Sequence, residues 1–430
     1  MLTSHTYIDL LLEKAAKTPE QLFARHSTGD ISFAKLENAS AIFAQKLHDS
    51  GIKPKDRVAV MMRNSPAALA IIYAITRSGA SWVPVNTALK GAGLEYIVSH
   101  SQPALIVADS EYCPIITDCG ASNLPNVVEI DNQAMPDLDA AVQFVAKLPT
   151  ADDVAAIMYT SGTTGPAKGV LVTHRMLRLA AEAVAVCSDA KDHDNFYMWE
   201  PFFHIGGAQV LLLPLVRNVT LTISDRFSAS RFWDELRQAG STHIHHLGGI
   251  VQILLKQPVS ENDRDHNVRI AWGGGCAIEV WRAFEERFGV QIRECYGMTE
   301  ASSLTTFNDR GVVGSVGRTV PWFTVKLIDK HGAIVRQGKG EIVVNASIDG
   351  AIFPGYYRNP EATAKALRAE GFFTGDLGSW DEDGNLFFHG RMTDSVRCKG
   401  ENVSAWEVEH VVADHPDVEA CAMIGVAAEI

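Results

Sequence analysis

An apolar run, Val154–Met158, leads into Tyr-Thr-Ser-Gly-Thr-Thr-Gly-Pro-Ala-Lys-Gly-Val at 159–170, and the chain goes on through Leu171 and Val172. Apolar and β-branched residues on either side predict two strands, with a loop of small and hydroxylated residues between them. Gly162 and Gly165 let the backbone take positive φ and approach a ligand closely. Successive N–H groups can then form an anion-binding nest. Ser161, Thr163 and Thr164 add hydroxyl donors, and Lys168 adds a positive charge able to reach a polyphosphate. A Walker loop needs Gly-Lys-Ser/Thr opening a helix. Here Lys168 is followed by Gly169, Val170, Leu171 and Val172, so a strand follows and no helix dipole backs the loop.

The rest of the chain predicts an α/β protein. In residues 1–150 helical spacing over Thr6–Ala16 and Phe33–His48 alternates with apolar strands at Val58–Met62, Trp82–Val85 and Leu105–Ala108. Ser65-Pro66 supplies an N-cap and a first-turn proline for a helix through Arg77, and Leu94–His100 reads as another helix. Strand–helix–strand repetition argues for layers around mainly parallel sheets. These 150 residues carry no evident chemistry and read as scaffold. Further on, the pattern predicts helices over His174–Val186, the apolar Ile205–Val216, Ser230–Ala239 and Glu279–Phe288, the last with a solvated charged face. Strands are predicted at Thr220–Ile223, Ile270–Trp272 and Ile292–Cys295. From Thr324 to Val344 alternation takes over, which predicts a β-rich subdomain.

At 430 residues the chain exceeds one core. Its 38 basic against 51 acidic residues, net −13, argue against nucleic acid as a partner. The start, MLTSHTYIDLL, lacks a signal peptide's basic region and apolar core. Ile205–Val216 is too short to span a bilayer. Seven cysteines without a CxxC pair fit reduced thiols, so a cytoplasmic protein without an integral membrane segment is expected.

Three further stretches bear on chemistry. Tyr296-Gly297-Met298-Thr299-Glu300 follows a strand, at the carboxyl edge where open α/β sheets bind ligands. Its tyrosine ring can stack on a base, Thr299 can donate to a phosphate oxygen, and Glu300 suits Mg²⁺. Phe373-Thr374-Gly375-Asp376-Leu377 reads as a tight turn whose aspartate can accept both ribose hydroxyls. Gly390-Arg391 offers a guanidinium fork for ribose or phosphate. His243-Ile244-His245-His246 reads as a strand whose histidines line a pocket or satisfy core hydrogen bonds more readily than they hold a metal.

Together, and in this order, these stretches resemble the adenylate-forming (AMP-binding) superfamily, from about residue 5 to the chain's end. The 400–409 stretch, GENVSAWEVE, and Pro201–Gly207 are similar to the crotonobetaine/carnitine–CoA ligase branch of its acyl-CoA synthetases. The resemblance implies a large ATP- and acyl-binding domain over 1–390, with the β-rich subdomain at about 320–390. A small, mobile α+β C-terminal domain would begin at 391 and be truncated over 391–430. It implies contacts to the ATP phosphates from Thr160, Ser161, Gly162, Thr163, Thr164, Gly165 and Lys168. Gly273, Gly274, Gly275, Cys276, Tyr296, Gly297 and Met298 would frame the adenine. Thr299 would touch the α-phosphate, Glu300 would hold Mg²⁺, and Asp376 and Arg391 would fix the ribose. His204 would gate the acyl pocket.

The implied reaction is that of an AMP-forming acid–thiol ligase. A small carboxylic acid attacks the α-phosphorus of ATP, pyrophosphate leaves, and the thiol of coenzyme A (or of a carrier protein) displaces AMP from the acyl-adenylate. Catalysis of this kind is mainly positioning and charge stabilisation. Phe202–Gly206 lacks the aspartate with which peptide-synthetase relatives grip an α-amino group, which argues against an α-amino acid, and the resemblance of 400–409 and 201–207 extends to other short- or medium-chain acyl-CoA ligases. Two departures stand out. Thr393 occupies the hinge position and Arg397 replaces the lysine of the thiolation face. The lysine that stabilises adenylation would lie beyond Ile430, and losing such a charge typically lowers the rate by about 10²–10³. Two readings stay open: the sequence is a fragment of a longer protein, or the first half-reaction is impaired. An aryl-acid adenylating enzyme serving a carrier protein, or a nucleotide-binding protein without turnover, are the alternatives. The sequence leaves a homodimer open.

Overall fold

The computed structural model describes residues 6–131, 144, 147–160, 167–392, the backbone of 395–398 and 401–404, and positions 412, 415, 418 and 421–423. Two sheets with parallel interiors carry most of the chain. The first has the strand order Val127–Ile130, Leu105–Asp109, Arg57–Met61, Ser81–Pro84, Val154–Thr160 and Lys168–Thr173. All its neighbours are parallel except the last pair, an antiparallel pair that closes on Thr160 opposite Lys168. The second runs Arg318–Thr319, Thr306–Phe307, Gln291–Tyr296, Ile270–Gly274, His243–Leu247, Asn195–Met198, Thr220–Ile223, Leu22–Arg25 and Ile31–Ser32. Its interior is parallel and its edges antiparallel. A third, antiparallel sheet is built on Phe323–Ile328, Lys339–Ala346, Gly371–Trp380 and Leu386–Arg391. It is the expected β-rich part.

Local chemistry explains the elements. Ser65 accepts from the Ala68 N–H and caps the helix Pro66–Arg77, every residue of which is buried between the two parallel sheets' layers. Thr6 and Asp9 close a reciprocal capping box on Tyr7–Lys17. The helix Ile278–Phe288 buries Trp281, Phe284 and Phe288 and ends on Gly289 in the left-handed region. Glu279, Arg282 and Glu286 are exposed, as expected of a charged face, but Ile278 and Ala283 are exposed beside them.

Two expectations fail locally. The apolar stretch 205–216 forms two short helices, Ile205–Ala208 and Leu213–Val216, instead of one. Gly206, Gly207 and Pro214 weaken a continuous helix, and tertiary burial decides the rest. Asp376 sits inside the ten-residue strand Gly371–Trp380 rather than in a turn. An irregularity in its pairing, with Gly375 at φ 76°, gives the local bend that the Thr-Gly-Asp sequence suggested. Among the described residues no helix is long and apolar enough to cross a membrane.

Candidate active site

The carboxyl ends of the two parallel sheets face a cavity of about 890 Å³. Its walls bring together Thr160, Ala167, His204, Gly273, Gly274, Gly297, Met298, Thr299 and Arg391, which lie far apart in sequence. Pro84, Asn86, Leu89 and Tyr96 also line it. The first 150 residues are thus part of the site as well as scaffold, a point the sequence did not signal because apolar and amide wall residues resemble ordinary core and loop.

Lys168 opens its strand beside this cavity, with its ammonium 5.2 Å from the centre of the Tyr356 ring. The Tyr356 hydroxyl donates to Glu300 Oε1 at 2.9 Å. Glu300 is buried, and burial raises its pKa against the opposing pull of Tyr356, Arg391 and Lys168. A Cβ on Gly169 would lie 2.9 Å from the Ile157 side chain, so a larger residue there would have to displace it. The strand ends are braced from outside. Tyr96 donates to the Ala167 carbonyl at 3.0 Å, and the Tyr159 hydroxyl meets His100 Nδ1 at 2.7 Å. Ser161, Gly162, Thr163, Thr164 and Gly165 lie outside the described residues, as do Thr393 and the side chain of Arg397.

Of Tyr296, Asp376 and Arg391 only Arg391 lines the cavity; beside it the Tyr296 hydroxyl donates to Asp376 Oδ2 at 2.8 Å, and Arg391 Nε lies 3.4 Å from Asp376 Oδ1. Asp376 and Arg391 are cross-strand partners in the antiparallel sheet. Gly275 and Cys276 donate their N–H groups to the carboxyl of Glu294, at 2.5 and 3.2 Å. Glu294 was missed from sequence. Its one signal was an acidic residue in the middle of a buried strand. Burial outweighs its two backbone donors and pushes its pKa up to about 8. His246, facing it at 3.7 Å, is held neutral by burial, its pKa brought down to about 3.

The remaining wall is formed by Phe203, His204 and Glu200. Burial lowers the His204 pKa, with Glu200 opposing, so the ring is neutral at pH 7. The Glu200 carboxylate lies 2.5 Å from His245 Nδ1 and directly over Gly206, where a Cβ would come within 2.2 Å of its oxygen. Asn64 clamps the backbone here, donating to the Glu200 carbonyl and accepting from the Phe202 N–H. Of the histidine run, His245 lines the cavity, while His243 stacks on Phe196 and bonds the Ser188 carbonyl.

The comparisons with known proteins fit this geometry. The family model for AMP-binding enzymes matches residues 11–357. The chain belongs to the AMP-binding enzyme family. It is 30% identical to a crotonobetaine/carnitine–CoA ligase of Salmonella paratyphi B, with 92% of this chain and 80% of that protein covered. Among solved structures, a Mycobacterium tuberculosis fatty acyl CoA synthetase superposes with a TM-score of 0.85 at 26% identity, covering 99% of this chain and 86% of that one. ATP-bound MatB from Rhodopseudomonas palustris superposes at 0.87 and 28% identity, covering 98% and 85%. The chain is accordingly an AMP-forming acyl-CoA synthetase, an adenylate-forming ligase of acids and thiols, and enzymes of this family use ATP and coenzyme A.

Proposed function

We propose that the chain activates a short- or medium-chain carboxylic acid with ATP and passes the acyl group to coenzyme A. The observation that carries this reading is the cavity. It gathers Thr160, the Gly273–Gly274 and Gly297–Thr299 backbones, His204 and Arg391 around one space, with Lys168, Glu300 and Asp376 next to it.

In this reading Lys168 and the hydroxyls of the 160–165 stretch hold the triphosphate, and Thr299 donates to the α-phosphate. Tyr296 and the Gly273–Cys276 turn, braced by Glu294, form the adenine wall. Asp376, buried and anchored by Tyr296, accepts from the ribose with Arg391 beside it. Glu300 fits Mg²⁺. It offers hard carboxylate oxygen in a buried place, where burial alone disfavours the anion and a cation would restore it. Bound there with water and phosphate oxygens, Mg²⁺ would neutralise charge on the departing pyrophosphate. The acid's carboxylate forms a bond to the α-phosphorus as the bond to pyrophosphate breaks. The coenzyme A sulfur then bonds the acyl carbon, and AMP leaves with the electron pair of the mixed anhydride. His204, neutral and beside the acyl end, excludes water and shapes that part of the cavity.

A thermal-shift titration with Mg·ATP, alone and with a panel of short, medium and aryl acids, tests the site. Binding at a hundred times Kd stabilises a protein by about 2.7 kcal/mol. A shift with nucleotide that grows with one class of acid, and pyrophosphate release in its presence, is the expected result. No shift with any nucleotide overturns the reading, and a shift without pyrophosphate release leaves a binding protein.

A further inference from the structure

Lys168, half-buried, and Glu300, buried, bring an ammonium and a carboxyl onto adjoining elements, yet no ion pair within 4.0 Å joins Lys168 to a carboxyl among the described residues. Opposite charges in such surroundings attract strongly at contact. The side chain of Tyr356 contacts both. Its face lies under the Lys168 ammonium, at 5.2 Å from the ring centre, and its hydroxyl is bonded to Glu300 Oε1 at 2.9 Å. Each charge thus has a partner on the same side chain and neither needs the other. Arg391, the other cation near Glu300, is drawn to Asp376 instead.

The segment holding Tyr356 is tied to both the strand of Lys168 and the turn of Glu300. Val170 and Tyr356 form an antiparallel bridge, Tyr357 donates to the Gly169 carbonyl at 2.7 Å, and Leu171 donates to that of Gly355 at 3.1 Å. On the other side Phe353 donates to the Glu300 carbonyl at 2.8 Å. Thr363 Oγ1 accepts from the Tyr356 N–H at 2.9 Å, and Phe353 packs against its ring edge-on, 4.8 Å between centres. Gly355, at φ 146°, has no room for a Cβ against the Thr363 side chain. Tyr356 is therefore held to both elements by backbone bonds and side-chain packing.

We propose that Tyr356 is a positioning residue that keeps Lys168 and Glu300 from neutralising each other before substrate arrives, leaving the ammonium available to phosphate and the carboxylate to a divalent cation. This rests on the nucleotide reading of the site given above. Without the ring, the two side chains collapse into a buried ion pair, and phosphate must first break it.

Calorimetric titration with ATP, without and with Mg²⁺, on wild type, Tyr356→Phe, Tyr356→Leu and each of these combined with Glu300→Gln, tests the idea. Metal-free ATP affinity is expected to fall in the order wild type, Tyr356→Phe, Tyr356→Leu, with the last about tenfold weaker. Adding Glu300→Gln to Tyr356→Leu removes the competing carboxylate and recovers most of that loss. The gain exceeds what Glu300→Gln brings in the wild-type background. General damage from losing the ring would not be rescued in this way. Tyr356→Leu binding like wild type, or the absence of rescue by Glu300→Gln, overturns the proposal. Should Tyr356→Leu fail to fold, the same cycle on Tyr356→Phe decides it, rescue supporting the proposal and its absence overturning it. Failure of wild type itself to bind ATP would instead overturn the nucleotide reading.

Discussion

A buried carboxyl with two backbone donors is a small feature with a measurable consequence. Glu294 keeps its proton up to about pH 8 in the folded chain, against an ordinary value of 4.5. Between those limits the native state holds a proton that the unfolded chain has released. Stability from this group is therefore fully present below about pH 4.5 and is lost as pH rises through 8. The loss is on the order of a few kcal/mol. Glu294→Gln, which cannot ionise, is expected to flatten this part of the stability profile. Urea unfolding at pH 5, 6.5 and 8 measures it, and equal slopes in variant and wild type would count against the assignment. The same residue shows where sequence reading stops. Gly273–Cys276 was recognisable from its glycines, but the acid bracing it lies 18 residues downstream of Cys276 and looked like any strand residue. Tyr356 escaped notice for the same reason, since its partners are Lys168 and Glu300.

Strand against strand, the site depends on close backbone approach. Gly273 pairs with His246 at φ 151°, and a Cβ there would fall 1.8 Å from the His246 carbonyl oxygen. Backbone cannot yield as a side chain can. Gly273→Ala is expected to cost about 2–4 kcal/mol and to weaken nucleotide binding, because the strand Ile270–Gly274 must shift from His243–Leu247. Gly289→Ala is the control. Gly289 is also left-handed, at φ 69°, but has nothing within 4 Å of a Cβ, so its cost is that of the backbone alone, about 1 kcal/mol. Denaturant midpoints of the two variants separate steric conflict from conformational preference. Equal midpoints would show that the strands do accommodate the methyl. Elements with strong local signals, such as the helix capped by Ser65 or the strand Val154–Thr160, were legible in advance. The broken helix over 205–216 was not, because its apolar run says that it is buried and leaves open in what conformation.

Across the whole molecule, one hydrophobic core draws residues from all three sheets, and polar contacts and bridges add to it around the cavity. Tyr296, at the end of a strand in the large parallel sheet, reaches Asp376 in the antiparallel one. The bridge between Gly317 and Leu386 supports that junction, and the bridge between Val170 and Tyr356 supports the junction with the other parallel sheet. Tyr296→Phe removes the donor and leaves a buried carboxylate oxygen without it. It is expected to destabilise by about 1–3 kcal/mol, with a matching loss of nucleotide affinity, and denaturant unfolding together with calorimetry measures both. Loss of affinity with stability unchanged would assign Tyr296 to ligand contact alone. By itself the sequence determined the α/β layering, the β-rich sheet and the two strands that flank the 161–166 stretch, because periodicity, caps and glycine patterns act over neighbouring positions. Only the tertiary structure decided which acid braces which loop, that Tyr356 contacts both Lys168 and Glu300, and that the first 150 residues help to wall the cavity. Those relations are set by how three sheets meet, and no local interaction encodes them.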